Sequence, residues 1–117
     1  MAIGLPAFGQ VNLCGEVGDL WGEGYEAEEA DDFEAALDFY YEAMAASETL
    51  ADPHLQECAW SGSVARAVSM EIAIEYLAEV GISPASLEEA HEVADYAHRA
   101  AFEELDEQYP HLANSCP

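Results

Sequence analysis

The sequence predicts an all-α protein, a small up-down bundle of three main helices with a glycine-rich irregular arm at its N-terminus. The first observation is compositional: after Tyr25 the chain is rich in alanine, glutamate and leucine, and only Gly62 and Gly81 interrupt it. The second is that apolar residues recur at intervals of three and four, the period of an amphipathic helix. The third is a pair of helix-start signals that divide this stretch. At 117 residues the chain is long enough for one domain with its own core.

The N-terminal arm comprises residues 1–25 and holds six of the eight glycines. Glycine loses more backbone freedom on folding than any other residue, so we expect an irregular loop or a short hairpin here. Apolar residues are interleaved with these glycines, which suggests that the arm docks on another surface. Residues 26–117 then form an acidic helical domain.

The first main helix is expected from about Glu26 to Ser47. Acidic residues cover much of its circumference, and the earliest of them lie where the helix dipole favours negative charge. Its apolar stripe has helical spacing and consists of Phe33, Leu37, Tyr40, Tyr41 and Met44.

The second helix begins at an Asp-Pro pair, in which Asp52 caps the helix and Pro53 occupies its first turn. It is expected to run to Val80 and to end at Gly81. Apolar residues surround nearly its whole axis, so we expect it to be the central and most buried helix. The exception is one acidic row at i,i+4 spacing, which consists of Glu71, Glu75 and Glu79.

The third helix begins at a Ser-Pro pair, Ser83 and Pro84, and runs to about residue 108 before Pro110 stops it. Ser86 and Glu89 offer a capping box as an alternative start, one turn later. The short connections between the helices imply antiparallel neighbours.

The charge of the chain limits its partners. It carries 25 acidic residues against two arginines and no lysine, a formal net charge of −23. DNA, RNA and anionic lipid all need a cationic patch that displaces counterions, so direct binding to nucleic acid or to a membrane surface is excluded. No apolar run approaches the roughly 18 residues that span a bilayer, and the N-terminus lacks the regions of a secretory signal. We therefore expect a cytoplasmic protein.

The acidic rows point to the kind of partner. Like charges at i,i+4 spacing destabilise a helix by roughly 0.2–0.5 kcal/mol per pair, and this chain does not intersperse the lysines that would offset the repulsion. Successive carboxylates in such a row lie about 6 Å apart along the axis. Duplex DNA carries about one charge per 1.7 Å, so 23 charges match the phosphates of roughly 11–12 base pairs. The pattern predicts a surface that replaces DNA in the groove of a basic DNA- or RNA-binding protein.

The residues expected to contact that partner are acidic positions on the first two helices, with two aromatic anchors that supply the specificity charge lacks. They are Glu28, Asp31, Asp32, Glu34, Asp38, Glu42, Glu71, Glu75, Glu79, Trp21 and Tyr25. An extended surface built from so short a chain is also compatible with a homodimer.

Two acidic segments carry a resemblance to a known class of protein: EAEEADDFEAALD at 26–38 and LEEAHEVADYAHRAAFEELDE at 87–107. In length, charge and Glu/Asp-rich helices the chain resembles the acidic DNA-mimic inhibitors of phages and mobile elements, such as the Ocr-type anti-restriction proteins and some anti-CRISPR proteins. The likeness is compositional, and its glycine-rich start and alanine-rich helices depart from the Ocr type. The resemblance implies a non-enzymatic inhibitor of a bacterial defence or DNA-processing protein, acting in the host-cell cytoplasm if a phage encodes it.

Two other interpretations of the acidity stay open. The chain could be a helical adaptor that is acidic for solubility and binds partners through its apolar arm. A halophilic origin is a special case, because haloarchaeal proteins gain carboxylates and lose lysine. Against halophily, Glu outnumbers Asp and arginine is almost absent.

A third alternative is a carboxylate metal protein assembled as an oligomer. The third helix carries Glu88, His91, Asp95 and His98, and Glu-x-x-His is one half of the di-iron motif of helical bundles. The second half is missing from the sequence, so we expect these histidines to be partly buried side chains without a metal. No nucleophile elbow or glycine-framed phosphate loop is present, and Cys58 is expected to be a core thiol. We therefore expect no enzymatic activity and no cofactor.

Overall fold

The computed structural model describes residues 15–110, and all the regular structure in that range is helical. Four helices follow one another: α1 (Glu16–Glu29), α2 (Phe33–Ser47), α3 (Pro53–Val80) and α4 (Pro84–Gln108). Each packs against the next, and short turns at 30–32, 48–52 and 81–83 make the neighbours antiparallel. The all-α class is confirmed, while the described part of the chain has one helix more than the three main helices predicted.

The additional helix is α1, which occupies residues that the sequence assigned to the irregular arm. It buries a stripe at i, i+3, i+4 and i+7 spacing that includes Val17, Leu20 and Trp21, and this burial offsets the helix-breaking tendency of its glycines. Gly24 is also required by packing, since a Cβ there would lie 2.5 Å from Tyr40 Cε1. Residues 1–14 of the predicted arm lie outside the described residues.

A turn separates α1 from α2 and interrupts the single helix expected from Glu26 to Ser47. Asp31 has a φ of 67°, in the left-handed region that aspartate tolerates better than most residues. Asp32 then caps α2 by accepting a hydrogen bond from the Ala35 backbone N–H at 3.0 Å. Two successive aspartates thus end one helix and begin the next, the first through its backbone conformation and the second through its side chain.

Helices α3 and α4 begin where their capping residues predict. Asp52 accepts from the backbone N–H of His54 at 2.8 Å, and Ser83 accepts from that of Ser86 at 3.1 Å. Ser83 is therefore the N-cap, and the alternative start at Ser86 is not used. Gly81 ends α3 with a φ of 80°, a conformation in which a side chain would be strained.

The core is built largely from alanine, with Tyr40 and Met70 as its largest fully buried side chains. One side of α3 does not follow the prediction of burial all round, because Val68 is 44% exposed and Ile72 is 38% exposed. These side chains line an open apolar groove against α4.

Tyrosine hydroxyls connect neighbouring helices by donating to carboxylates. The four pairs are Tyr40 with Glu28, Tyr41 with Glu71 at 2.8 Å, Tyr76 with Glu89, and Tyr109 with Glu57 at 2.7 Å. Burial and the carboxylate raise the pKa of Tyr40 and Tyr109, and the carboxylate bond raises the pKa of Tyr41 and Tyr76. In a chain without lysine, neutral tyrosines act as the hydrogen-bond donors between helices.

Candidate functional site

The acidic residues lie almost entirely at the surface. All 25 fall within residues 15–110, and 24 of them are exposed, with Glu28 the exception at 4% exposure. Exposed carboxylates keep their hydration and stay ionised at neutral pH without a cationic partner. The surface therefore carries nearly the full negative charge of the sequence.

The most regular part of this surface lies on α2 and α3. Three exposed acids on each helix stand at i,i+4 spacing, and we call the six together the acidic face: Glu34, Asp38, Glu42, Glu71, Glu75 and Glu79. The two rows belong to adjacent antiparallel helices. Tyr41 reaches from the α2 row to Glu71, and at the other end Glu34 and Ala78 line the same surface depression. The two helices thus approach each other beside both ends of these rows.

The remaining candidate residues lie at the turn and on α1. Asp31 bonds His91 across the bundle at 2.7 Å, and Asp32 is the α2 cap described above. Tyr25 is 56% exposed. Glu28 and Trp21, at 4% and 6% exposure, lie inside the bundle, so neither is accessible to a partner at the surface.

A second feature was not anticipated from the sequence: both arginines of the chain line one cavity of about 730 Å³ between α1 and α4. Side chains or backbone from all four helices contribute to its wall. The lining consists of Gly18, Trp21, Gly22, Tyr25, Tyr40, Arg66, Asp95, His98, Arg99 and Phe102. We call this space the arginine cavity.

Arg66 projects from α3 between two aromatic rings. Its Cζ lies 3.8 Å from the Trp21 ring centroid and 4.7 Å from that of Phe102, which is cation–π geometry on both faces. Its Nη1 donates to the Gly62 carbonyl at 3.1 Å. Burial lowers the pKa of Arg66 to about 10, while the nearby Tyr40 and Glu28 act in the opposite direction. Arg66 therefore still carries its positive charge at neutral pH.

Glu28, whose charge acts on Arg66, contacts polar side chains from two other helices. Tyr40 donates to Oε2, and His98 Nε2 lies 3.2 Å from Oε1. His98 Nδ1 is buried and has no hydrogen-bond partner among the described residues.

Arg99 lies at the solvent-exposed side of the same cavity. None of the residues from 15 to 110 forms an ion pair or a hydrogen bond with its side chain, although the chain supplies 25 carboxylates. Asp95, one turn earlier on α4, also lines the cavity but makes no ion pair with it. The guanidinium keeps its donors available.

The two histidines of α4 contact other parts of the bundle rather than one another. His91 bonds Asp31 and packs edge-on against Phe33, and His98 bonds Glu28. Glu88 and Asp95 are exposed. Within residues 15–110 no group of three or more potential ligands is placed to hold a metal ion. Cys58 is buried, and burial raises the pKa of its thiol, which disfavours the reactive thiolate.

Comparisons with protein-family models, with curated proteins and with solved structures found no match for this chain. Among the described residues, no helix combines the length and apolar character needed to cross a membrane.

Proposed function

We propose that this protein is a non-enzymatic inhibitor that presents a DNA-like charge distribution and occupies the nucleic-acid-binding groove of a basic defence or DNA-processing protein. The observation that carries the proposal is the exposure of 24 of its 25 acids, six of them in the adjacent rows of the acidic face. Such rows repel within each helix, and the chain has no lysine to relieve them. A partner's arginines and lysines would relieve them on binding.

The dimensions of the molecule support the same conclusion. A DNA segment with 23 phosphate charges is about 39 Å long at one charge per 1.7 Å. The longest dimension of the described residues, which include all 25 acids, is 47 Å, so the charge density along that axis is of the same order as that of DNA. Long-range attraction of this strength would speed encounter with a cationic groove and would weaken steeply with salt.

The test is capture of a binding protein from host lysate at about 50 mM salt, followed by elution with DNA. Release of a nucleic-acid-binding protein by DNA supports mimicry, because the two ligands then compete for one groove. Binding that is unchanged between about 50 and 500 mM salt, or that DNA does not displace, contradicts it.

Charge neutralisation then localises the contact. Replacing Glu71, Glu75 and Glu79 by Gln removes three charges from the acidic face, and the amide oxygen of a glutamine at position 71 can still accept the Tyr41 hydroxyl. The matched control replaces three exposed acids of α1, Glu16, Glu23 and Glu26, by Gln. We expect the first variant to lose at least ten times more affinity than the control. Equal losses would mean that the acidic face has no special role.

The second candidate is a helical adaptor, and one observation favours it. The groove between α3 and α4 exposes Trp60 and Tyr96, which are 44% and 72% exposed. An adaptor that binds through apolar contacts would keep its affinity after neutralisation of the acidic face and would bind more tightly as salt rises. The salt series therefore separates the two functions.

A further inference from the structure

We propose that the arginine cavity binds a small planar aromatic molecule that carries one carboxylate. This inference does not rest on the proposed inhibitor function, since the cavity lies between α1 and α4 and the acidic face lies on α2 and α3. The first support is space. A volume of about 730 Å³ lies within the range of roughly 300–1,000 Å³ typical of small-molecule sites, and helical bundles form such sites between facing helices.

The wall of the cavity favours an aromatic body. Four aromatic side chains line it, namely Trp21, Tyr25, Tyr40 and Phe102. Glycine widens it from the α1 side, because a Cβ placed on Gly22 would meet no atom within 4 Å. Tyr25 and Phe102 are 56% and 37% exposed, so a flat ring could lie along α1 and stack against these two side chains.

The charges favour a carboxylate on that ring. In a chain with a net charge of −23, the two cations converge on one space, and Arg99 is without an ion pair among the described residues. A guanidinium binds a carboxylate through two parallel hydrogen bonds. Arg99 is exposed, so it can make this bond at the entrance while the apolar part of the ligand lies deeper.

The number of negative charges follows from the balance around the cavity. Glu28 lies close enough to act on the charge of Arg66, whereas Arg99 has no ion pair among the described residues. One carboxylate would pair with Arg99, whereas a nucleotide or other polyanion would meet Glu28, Asp95 and the negative exterior.

The test uses indole-3-acetate as the probe and its neutral amide, indole-3-acetamide, as the comparison. Isothermal titration calorimetry of the full chain measures the affinity of both. We expect one acid molecule to bind per chain and the amide to bind at least tenfold more weakly. Comparable affinity for acid and amide, or no binding of the acid at 10 mM, would overturn the proposal.

Two variants locate the site. Arg99→Gln removes the guanidinium from a position without structural partners among residues 15–110, and we expect the acid to lose at least tenfold in affinity while the amide is unaffected. Gly22→Leu fills the cavity from α1 and should abolish binding of the probe, and Gly22→Ala is its control because it adds one carbon. Circular dichroism verifies that each variant is folded. An unchanged affinity for the acid in folded Arg99→Gln or folded Gly22→Leu refutes the assignment.

Discussion

Neutralising the acidic row of α3 should make the protein more stable, and the structure lets the gain be estimated. When Glu71, Glu75 and Glu79 are replaced by Gln, two repulsive i,i+4 pairs disappear. Their repulsion destabilises the helix by roughly 0.4–1 kcal/mol in total. Glu79 is also in the last turn of α3, where a negative charge opposes the helix dipole by about 0.3–1 kcal/mol. The free energy of unfolding should therefore rise by about 0.7–2 kcal/mol, and Tm by about 3–8 °C.

Urea denaturation followed by circular dichroism measures this gain at low salt and again at 1 M salt. The gain should shrink at 1 M, where the Debye length is about 3 Å and the repulsion is screened. The control for stability is Glu16→Gln alone, which should not stabilise, because Glu16 lies in the first turn of α1 and interacts favourably with the dipole. A destabilised α3 variant, or a gain of the same size at both salt concentrations, would refute the claim that the row is held against repulsion.

Three further results are expected. Tyr40→Phe leaves the buried Glu28 with one donor fewer, and urea denaturation should show a loss of about 1–3 kcal/mol; an unchanged midpoint would contradict the importance of this bond. Gly24→Ala should destabilise because its Cβ meets the Tyr40 ring, whereas Gly22→Ala should stabilise by up to about 1 kcal/mol, and thermal melts showing the reverse order would contradict the packing described here. The four carboxylate-bonded tyrosines have raised pKa values, so the stability that they contribute is fully present below about pH 10 and is lost as pH rises further. The raised pKa of Cys58 adds a loss that begins at about pH 9. Melts between about pH 8 and 11.5 should therefore fall slightly from about pH 9 and more steeply above about pH 10, and a Tm unchanged up to about pH 11.5 would contradict the contribution of the tyrosine bonds.

The sequence was sufficient for α3 and α4 because their limits depend on local chemistry. The side chains of Asp52 and Ser83 accept hydrogen bonds from backbone N–H groups two and three residues later in the chain. Gly81 ends α3 through its own backbone conformation. It was not sufficient for α1. There the local cost of glycine predicted a loop, and the decisive contribution is contact of Val17 and Trp21 with the rest of the core. Such contacts are visible only after the helices are assembled.

The candidate sites likewise contain residues that the sequence could place and residues that it could not. Exposure of the acid rows follows from helical periodicity, so Glu71 and its neighbours could be assigned to the surface from spacing alone. Glu28 could not, because it shares the acidic segment at 26–38 with exposed residues and is distinguished only by Tyr40 and His98 from other helices. The arginine cavity is lined by residues from four helices, so spacing along the sequence could not predict it. The one signal in the sequence was that so acidic a chain contains two arginines.

The hydrogen bonds from tyrosine hydroxyls to carboxylates join neighbouring helices without neutralising the carboxylates at the surface. A lysine opposite Glu71 or Glu57 would join the same helices, but it would cancel the charge of the carboxylate it binds. A tyrosine hydroxyl donates to the carboxylate and leaves its negative charge in place, as Tyr41 and Tyr109 do. Both arginines are instead placed at the cavity, where Arg66 lies against Trp21 and Phe102. The described residues thus place 24 of the 25 acids at the surface and both arginines at one cavity.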